Sequence, residues 1–123
     1  MRILDVGQCG IDGPAIAELL REKLGAKVDT APTADDARSE LAEHDYDLVL
    51  VNRVFAADGS KGLDLIDEFV RQASPAPVML VSDREDAQSA AIAKGAIRGF
   101  GKSALDDEAT LNVIESAIRD QRH

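Results

Sequence analysis

A strand-like stretch, Ile3-Leu4-Asp5-Val6, runs into Gly7-x-x-Gly10-x-x-Gly13, and a helical pattern opens at Pro14. Glycines in that rhythm let a backbone close on a phosphate at a helix N-terminus, and Asp29 lies about 20 residues on, where a ribose-binding acid belongs in a dinucleotide fingerprint. Pro14 counts against that chemistry, because it deletes an N–H from the first turn of the helix. Asp5 sits inside the strand, where a buried carboxylate needs a partner or a raised pKa. Ser82 and Lys102 together offer a hydroxyl and an amine. Asp12 and Asp58 each precede a glycine, which suits solvated turn residues better than catalytic carboxylates. Arg53 is either a surface residue or a cation placed beside a functional loop. Cys9 is a thiol with no general base next to it in sequence. His44 and His123 stand alone, with no second ligand at metal spacing, so no metal site is expected. No serine or cysteine triad can be assembled.

For these side chains to meet, the loops that carry them must be brought together. Apolar runs alternate with helical patterns five times along the chain. After the first strand, Ile16, Leu19, Leu20 and Leu24 share one helix face, and Gly25 stops that helix. Ala26 to Thr30 reads as a second strand, and Thr33 caps a helix carrying Ala37 and Leu41. Asp47-Leu48-Val49-Leu50-Val51-Asn52 has the continuous apolar character of a central parallel strand. A long loop, Arg53 to Gly62, leads to a helix with Leu65, Ile66, Phe69 and Val70. Pro77-Val78-Met79-Leu80-Val81-Ser82 is a fourth strand. The helix after it, Glu85 to Lys94, lacks large apolar residues and is expected to pack thinly. Ile97 to Gly101 is a fifth strand, and Leu111, Ile114 and Ile118 mark a last helix. This alternation predicts an α/β domain, a parallel sheet covered on both faces by helices. Functional residues in such sheets lie beyond the carboxyl ends of the strands. The positions to examine are therefore Gly7 to Gly13, Asn52 to Gly62, Ser82-Asp83 and Lys102-Ser103.

Composition narrows the function classes. A chain of 123 residues has room for one core, so residues 1–123 are read as one domain. Aromatics are only 3%, which leaves that core to Val, Ile, Leu and Ala. The net charge of −9 comes without a basic cluster, so nucleic-acid binding is not expected. One cysteine precludes an internal disulfide, and no apolar run reaches membrane-spanning length; a cytoplasmic protein without membrane attachment is the expectation.

Three stretches carry a resemblance: Tyr46 to Asn52, Pro77 to Ser82, and Lys94-Gly95-Ala96 followed by Phe100-Gly101-Lys102. With the order of elements, they resemble the receiver domains of two-component response regulators over nearly the whole chain. The resemblance implies a three-layer (βα)5 flavodoxin-like fold with strand order 2-1-3-4-5. It also implies that Asn52 stands where similar proteins carry the phosphoacceptor aspartate, and Gly7 and Gln8 where an acidic pair holds Mg²⁺. Ser82 and Lys102 match the retained hydroxyl and lysine, while Gly99 replaces a switching aromatic. The loop after Asn52 is about two residues longer than in similar proteins and lacks their proline. An amide cannot form an acyl phosphate, and Gly7, Gln8 and Asn52 offer a hard cation little.

The chain is thus read as an atypical receiver that signals by protein–protein interaction, without enzymatic activity or a cofactor. Its expected partners are a histidine kinase or another regulator. A homodimer through the fourth helix, fifth strand and last helix is also expected, since few core contacts make the fourth helix easy to shift. Because the sequence stops after the last helix, no attached effector is expected. Two alternatives stand beside this reading: a small-ligand or nucleotide-binding domain using the Gly7–Gly13 turn, and a phosphoacceptor with a rebuilt acidic site. Ile3 to Gly7 also resembles the opening of the methyltransferase cofactor motif, from which Gln8 departs.

Overall fold

The run Leu48-Val49-Leu50-Val51-Asn52 is apolar at successive rather than alternate positions, and as strand β3 it lies at the centre of the sheet with all of its residues buried. The structure, a computed structural model, describes residues 1–121; His123 lies outside the described residues. Around β3 the elements alternate as β1 (Arg2–Val6), α1 (Asp12–Leu24), β2 (Lys27–Ala31), α2 (Ala34–Glu43), α3 (Gly62–Arg71), β4 (Val78–Val81), α4 (Glu85–Ala93), β5 (Ile97–Phe100) and α5 (Glu108–Gln121). A 3-10 turn at Lys102–Ala104, not foreseen from sequence, joins β5 to α5. All strand pairs are parallel, in the order β2-β1-β3-β4-β5.

Strand periodicity sorts the core into two layers. Leu4, Val6, Val49, Val51 and Leu80 meet Ala37, Leu65, Ile66 and Phe69 from α2 and α3, with Ala87 and Ala91 from α4. Ile3, Leu48, Leu50, Met79 and Val81 meet Ile16 and Leu20 from α1 and Ile114 and Ile118 from α5. By register Asp5 belongs to this second face, beside Thr30 on β2 and Leu50 on β3. The chain leaves β1 for one edge of the sheet and β3 for the other, so their carboxyl ends flank the topological switch point where such folds place their sites.

Helix ends largely follow local chemistry. Gly25 ends α1 in the left-handed conformation, φ 65°, and its N–H returns to Arg21. Thr33 caps α2 by accepting from Asp36 N at 3.2 Å and donating to the Asp36 carboxylate at 2.9 Å. The first helix begins at Asp12, ahead of Pro14, with no side-chain cap at Ile11.

The expected thin packing of α4 holds for its apolar contacts, since Ala87 and Ala91 are the hydrophobic residues it buries. The inference that it is easy to shift does not follow. Gln88 is 4% exposed. Its Nε2 donates to Leu80 O at 2.9 Å and Ser82 O at 3.0 Å, and its Oε1 accepts from Gly99 N at 3.0 Å. The β4–β5 ladder shifts register between Met79 and Val81, and the Gln88 amide supplies the partners there. A Cβ at Gly99 would collide with Leu80 O, so the glycine permits the close approach.

Candidate functional site

The switch point is closed by its own side chains. Asn52 ends β3, and its Nδ2 donates to Gly7 O at 3.0 Å and Val54 O at 2.8 Å, while its Oδ1 accepts from Arg53 N at 3.0 Å. The amide thereby ties the β1–α1 loop to the β3–α3 loop. Only an amide suits this place, because two carbonyl oxygens need donors that a carboxylate lacks. Gly7 O accepts a second bond, from Ala56 N at 3.1 Å.

The loop from Arg53 to Gly62 is a small hairpin rather than an open excursion. Val54 and Lys61 form an antiparallel bridge, and Phe55 N donates to Ser60 O at 2.8 Å. This folds Phe55 inward to 1% exposure, with its ring against Gly7. Gly7 has φ +82°, and any side chain there would run into that ring. Phe55 thus occupies the space that an acidic side chain at position 7 would need. Sequence reasoning missed it, although a phenylalanine within the Arg53 to Gly62 loop of an aromatic-poor chain was the available signal.

Other candidates fall in different places. Lys102 Nζ donates to the Asp12 carboxylate at 2.8 Å. Asp12 is therefore not the solvated turn residue expected but the first residue of α1, held by an ion pair, and the bond to Lys102 pulls its carboxyl below its ordinary value. The Ser82 hydroxyl accepts from Arg84 N at 3.1 Å in a local turn. Among the described residues no hydrogen bond joins Asn52, Ser82 and Lys102 to one another. Asp83 instead receives the Ser103 hydroxyl, fastening the loop after β5. Asp58 is an exposed turn residue whose carboxylate accepts from Ser60 N at 2.9 Å, a bond that lowers its pKa. Arg53 is exposed, with a backbone bond to Asn52 and no side-chain bond. His44 lies 3.9 Å from Glu40, edge-on to the Tyr46 ring, far in sequence and fold from this loop cluster.

The glycine turn offers an anion little. At the start of α1, Asp12 N donates to Cys9 Sγ at 3.3 Å, Gly13 N to Cys9 O at 3.0 Å and Ala15 N to Ile11 O at 3.4 Å; Pro14 has no N–H. Those are the groups that would cradle a phosphate. Cys9 acts here as an acceptor that closes the helix start. Asp29 is also engaged, accepting from Arg2 Nε at 2.7 Å and lying 2.8 Å from the Tyr46 hydroxyl. By register it pairs with Leu4, on the opposite sheet face from Asp5. The acid and the turn of the supposed fingerprint thus do not share a site.

Asp5 itself is 1% exposed. Gln8 Nε2 donates to its Oδ1 at 3.1 Å, and Asp5 Oδ2 and Gln8 Oε1 are buried without partners. Burial pushes the Asp5 pKa up to about 7, against opposing pulls from the Gln8 bond and the Lys102 charge.

No protein-family model matches the chain, and no curated protein does. Solved structures do. The chain is similar to NtrX from Brucella abortus, with a TM-score of 0.81 at 24% identity, covering 98% of this chain and 27% of that one. It therefore spans about a quarter of that NtrX chain. The receiver domain of the same protein, solved alone, matches with a TM-score of 0.75 at 25% identity, over 95% of this chain and 98% of that one. A signal receiver domain of an HD domain-containing protein from Pseudomonas fluorescens Pf-5 gives a TM-score of 0.84 at 23% identity, over 98% and 88%. The fold is that of response-regulator receiver domains, with the strand order the resemblance implied.

The Mg²⁺ implied by that fold does not fit the residues present. Gly7 contributes no side chain, its carbonyl is taken by Asn52 and Ala56, Gln8 turns to Asp5, and Asn52 Oδ1 is taken by Arg53 N. No cluster of three acidic, histidine or cysteine side chains able to hold a metal occurs among the described residues.

Proposed function

We propose that this receiver-fold chain serves in signalling as a protein-interaction module and does not accept phosphate by the conventional aspartyl route. One observation carries the reading: the Asn52 amide donates to Gly7 O and Val54 O while Phe55 covers Gly7. The acceptor position is thereby part of the loop scaffold. Phosphoryl transfer on such a fold needs an anionic nucleophile and a bound metal, and the side chains here favour neither.

The face made by α4, β5 and α5 is the proposed contact surface. Ile92, Ile97 and Val113, one on each element, are 43%, 39% and 38% exposed. Apolar side chains held in water on adjoining elements suit a protein partner, either a kinase or other regulator, or a second copy. Gln88 makes the fourth helix a fixed part of that surface, so the contact does not depend on its mobility.

The test is incubation with Mg²⁺ and acetyl phosphate, read by intact mass. The unmodified mass is expected throughout. A stable adduct of one phosphoryl group would mean that another carboxylate, Asp12 or Asp58 first, has taken over the role.

A further inference from the structure

Beside the closed switch point lies a separate cavity of about 390 Å³, bounded by Asp5, Gln8, Gly13, Pro14, Thr30 and Pro32. Asp5 and Gln8, two residues of its wall, each carry a buried acceptor without a partner, Asp5 Oδ2 and Gln8 Oε1. They belong to side chains already joined by the Gln8 Nε2 to Asp5 Oδ1 bond, so both oxygens are held in place. Its outer wall is the apolar rings of Pro14 and Pro32, both exposed to solvent. An unpaired buried acceptor is destabilising, more so when charged, and a ligand carrying donors would relieve it.

We propose that this cavity is a binding site for a small organic cation of the amidine or guanidine class, whose paired N–H groups reach Asp5 and Gln8 and whose flat body lies between the two prolines. The charges nearby agree. Asp5 is the acid on the cavity wall, while Lys102 and Asp12, whose opposite charges both act on Asp5, are bonded to each other, and the one thiol, Cys9, accepts from Asp12 N. Anions are disfavoured by the consumed N–H groups of α1, so the site differs in sign as well as place from a phosphate cradle. A planar fork of donors matches two fixed acceptors better than a point-like ammonium does. Without a ligand, a proton between Asp5 and Gln8 satisfies the same oxygens, so ligand and proton compete. The site is independent of whether the chain signals through partners, and its test does not involve phosphorylation.

Benzamidine is the probe, followed by amide chemical shifts and calorimetry on the whole chain. Shifts are expected in residues 5–14 and 30–32, with affinity roughly tenfold higher at pH 8 than at pH 6 because Asp5 must be ionised to bind. Asp5→Asn, which keeps the bond to Gln8 and remains folded, is expected to lose the binding. Asp58→Asn, on the other loop, is expected to retain it. Neutral benzamide is expected to bind at least tenfold more weakly. Absence of shifts at both pH values, binding that survives in Asp5→Asn, or benzamide equal to benzamidine would each overturn the assignment.

Discussion

Asn52 and Asp5 show how one side chain can decide what a loop cluster does. Replacing Asn52 by Asp would set a carboxylate against Gly7 O and Val54 O, which now accept from the amide at 3.0 and 2.8 Å. The expected result for Asn52→Asp is a loss of about 2–4 kcal/mol at neutral pH, from an unpaired Val54 carbonyl, a Gly7 carbonyl left with the Ala56 bond alone, and a buried charge. No gain of phosphorylation is expected with it. Urea titration and intact mass check both parts. Asp5 allows a cleaner pH argument. Its folded pKa of about 7 lies above the unfolded value near 4, so the folded state holds a proton that the unfolded chain releases. Stability contributed by this group is therefore full at low pH, falls from about pH 4 to about pH 7, and is flat above; the span is about 4 kcal/mol. Asp5→Asn is expected to match the wild type near pH 4 and to exceed it by a few kcal/mol at pH 8. Urea midpoints of both proteins at pH 4.5, 6 and 8 test this, and parallel pH profiles would remove the premise that Asp5 is ionised at a cost.

At the level of elements, regular periodicities were readable and tertiary devices were not. The continuous apolar run of β3, the Gly25 stop and the Thr33 cap each announce themselves locally, because each depends on near neighbours in the chain. Phe55 and Gln88 do not. The first depends on a hairpin folding back over Gly7, the second on a register shift between two strands. The same limit applies to Asp12, whose partner Lys102 is 90 positions away. These devices give element-scale predictions. Gln88→Leu leaves Leu80 O, Ser82 O and Gly99 N without their side-chain partner, and a loss of about 2–4 kcal/mol is expected. Amide exchange in α4 should accelerate with it, relative to α1. Phe55→Ala removes a ring that is 1% exposed, and a loss of about 3–5 kcal/mol is expected from lost burial and the cavity left behind. Thermal unfolding measures that directly.

For the molecule as a whole, the question is what can bias it between states. A ligand shifts a conformational equilibrium only by its differential affinity for the two states. In this fold the loops around Asn52 are joined by side-chain bonds that need no phosphate, and α4 is pinned to β4 and β5 by Gln88. Alternation of elements was sufficient to foresee a parallel sheet, and the receiver resemblance its strand order, but these ties are what make the resting state self-sufficient. Beryllofluoride with Mg²⁺, a mimic of the acyl phosphate, should therefore find neither a carboxylate to join nor a state to favour. The expected outcome is an amide spectrum unchanged at Ser82, α4 and β5 through saturating concentrations, with free-state stability equally unchanged. Perturbation running from Asn52 through Ser82 into α4 would show a responsive switch instead, and would place its trigger at a group other than the amide of Asn52.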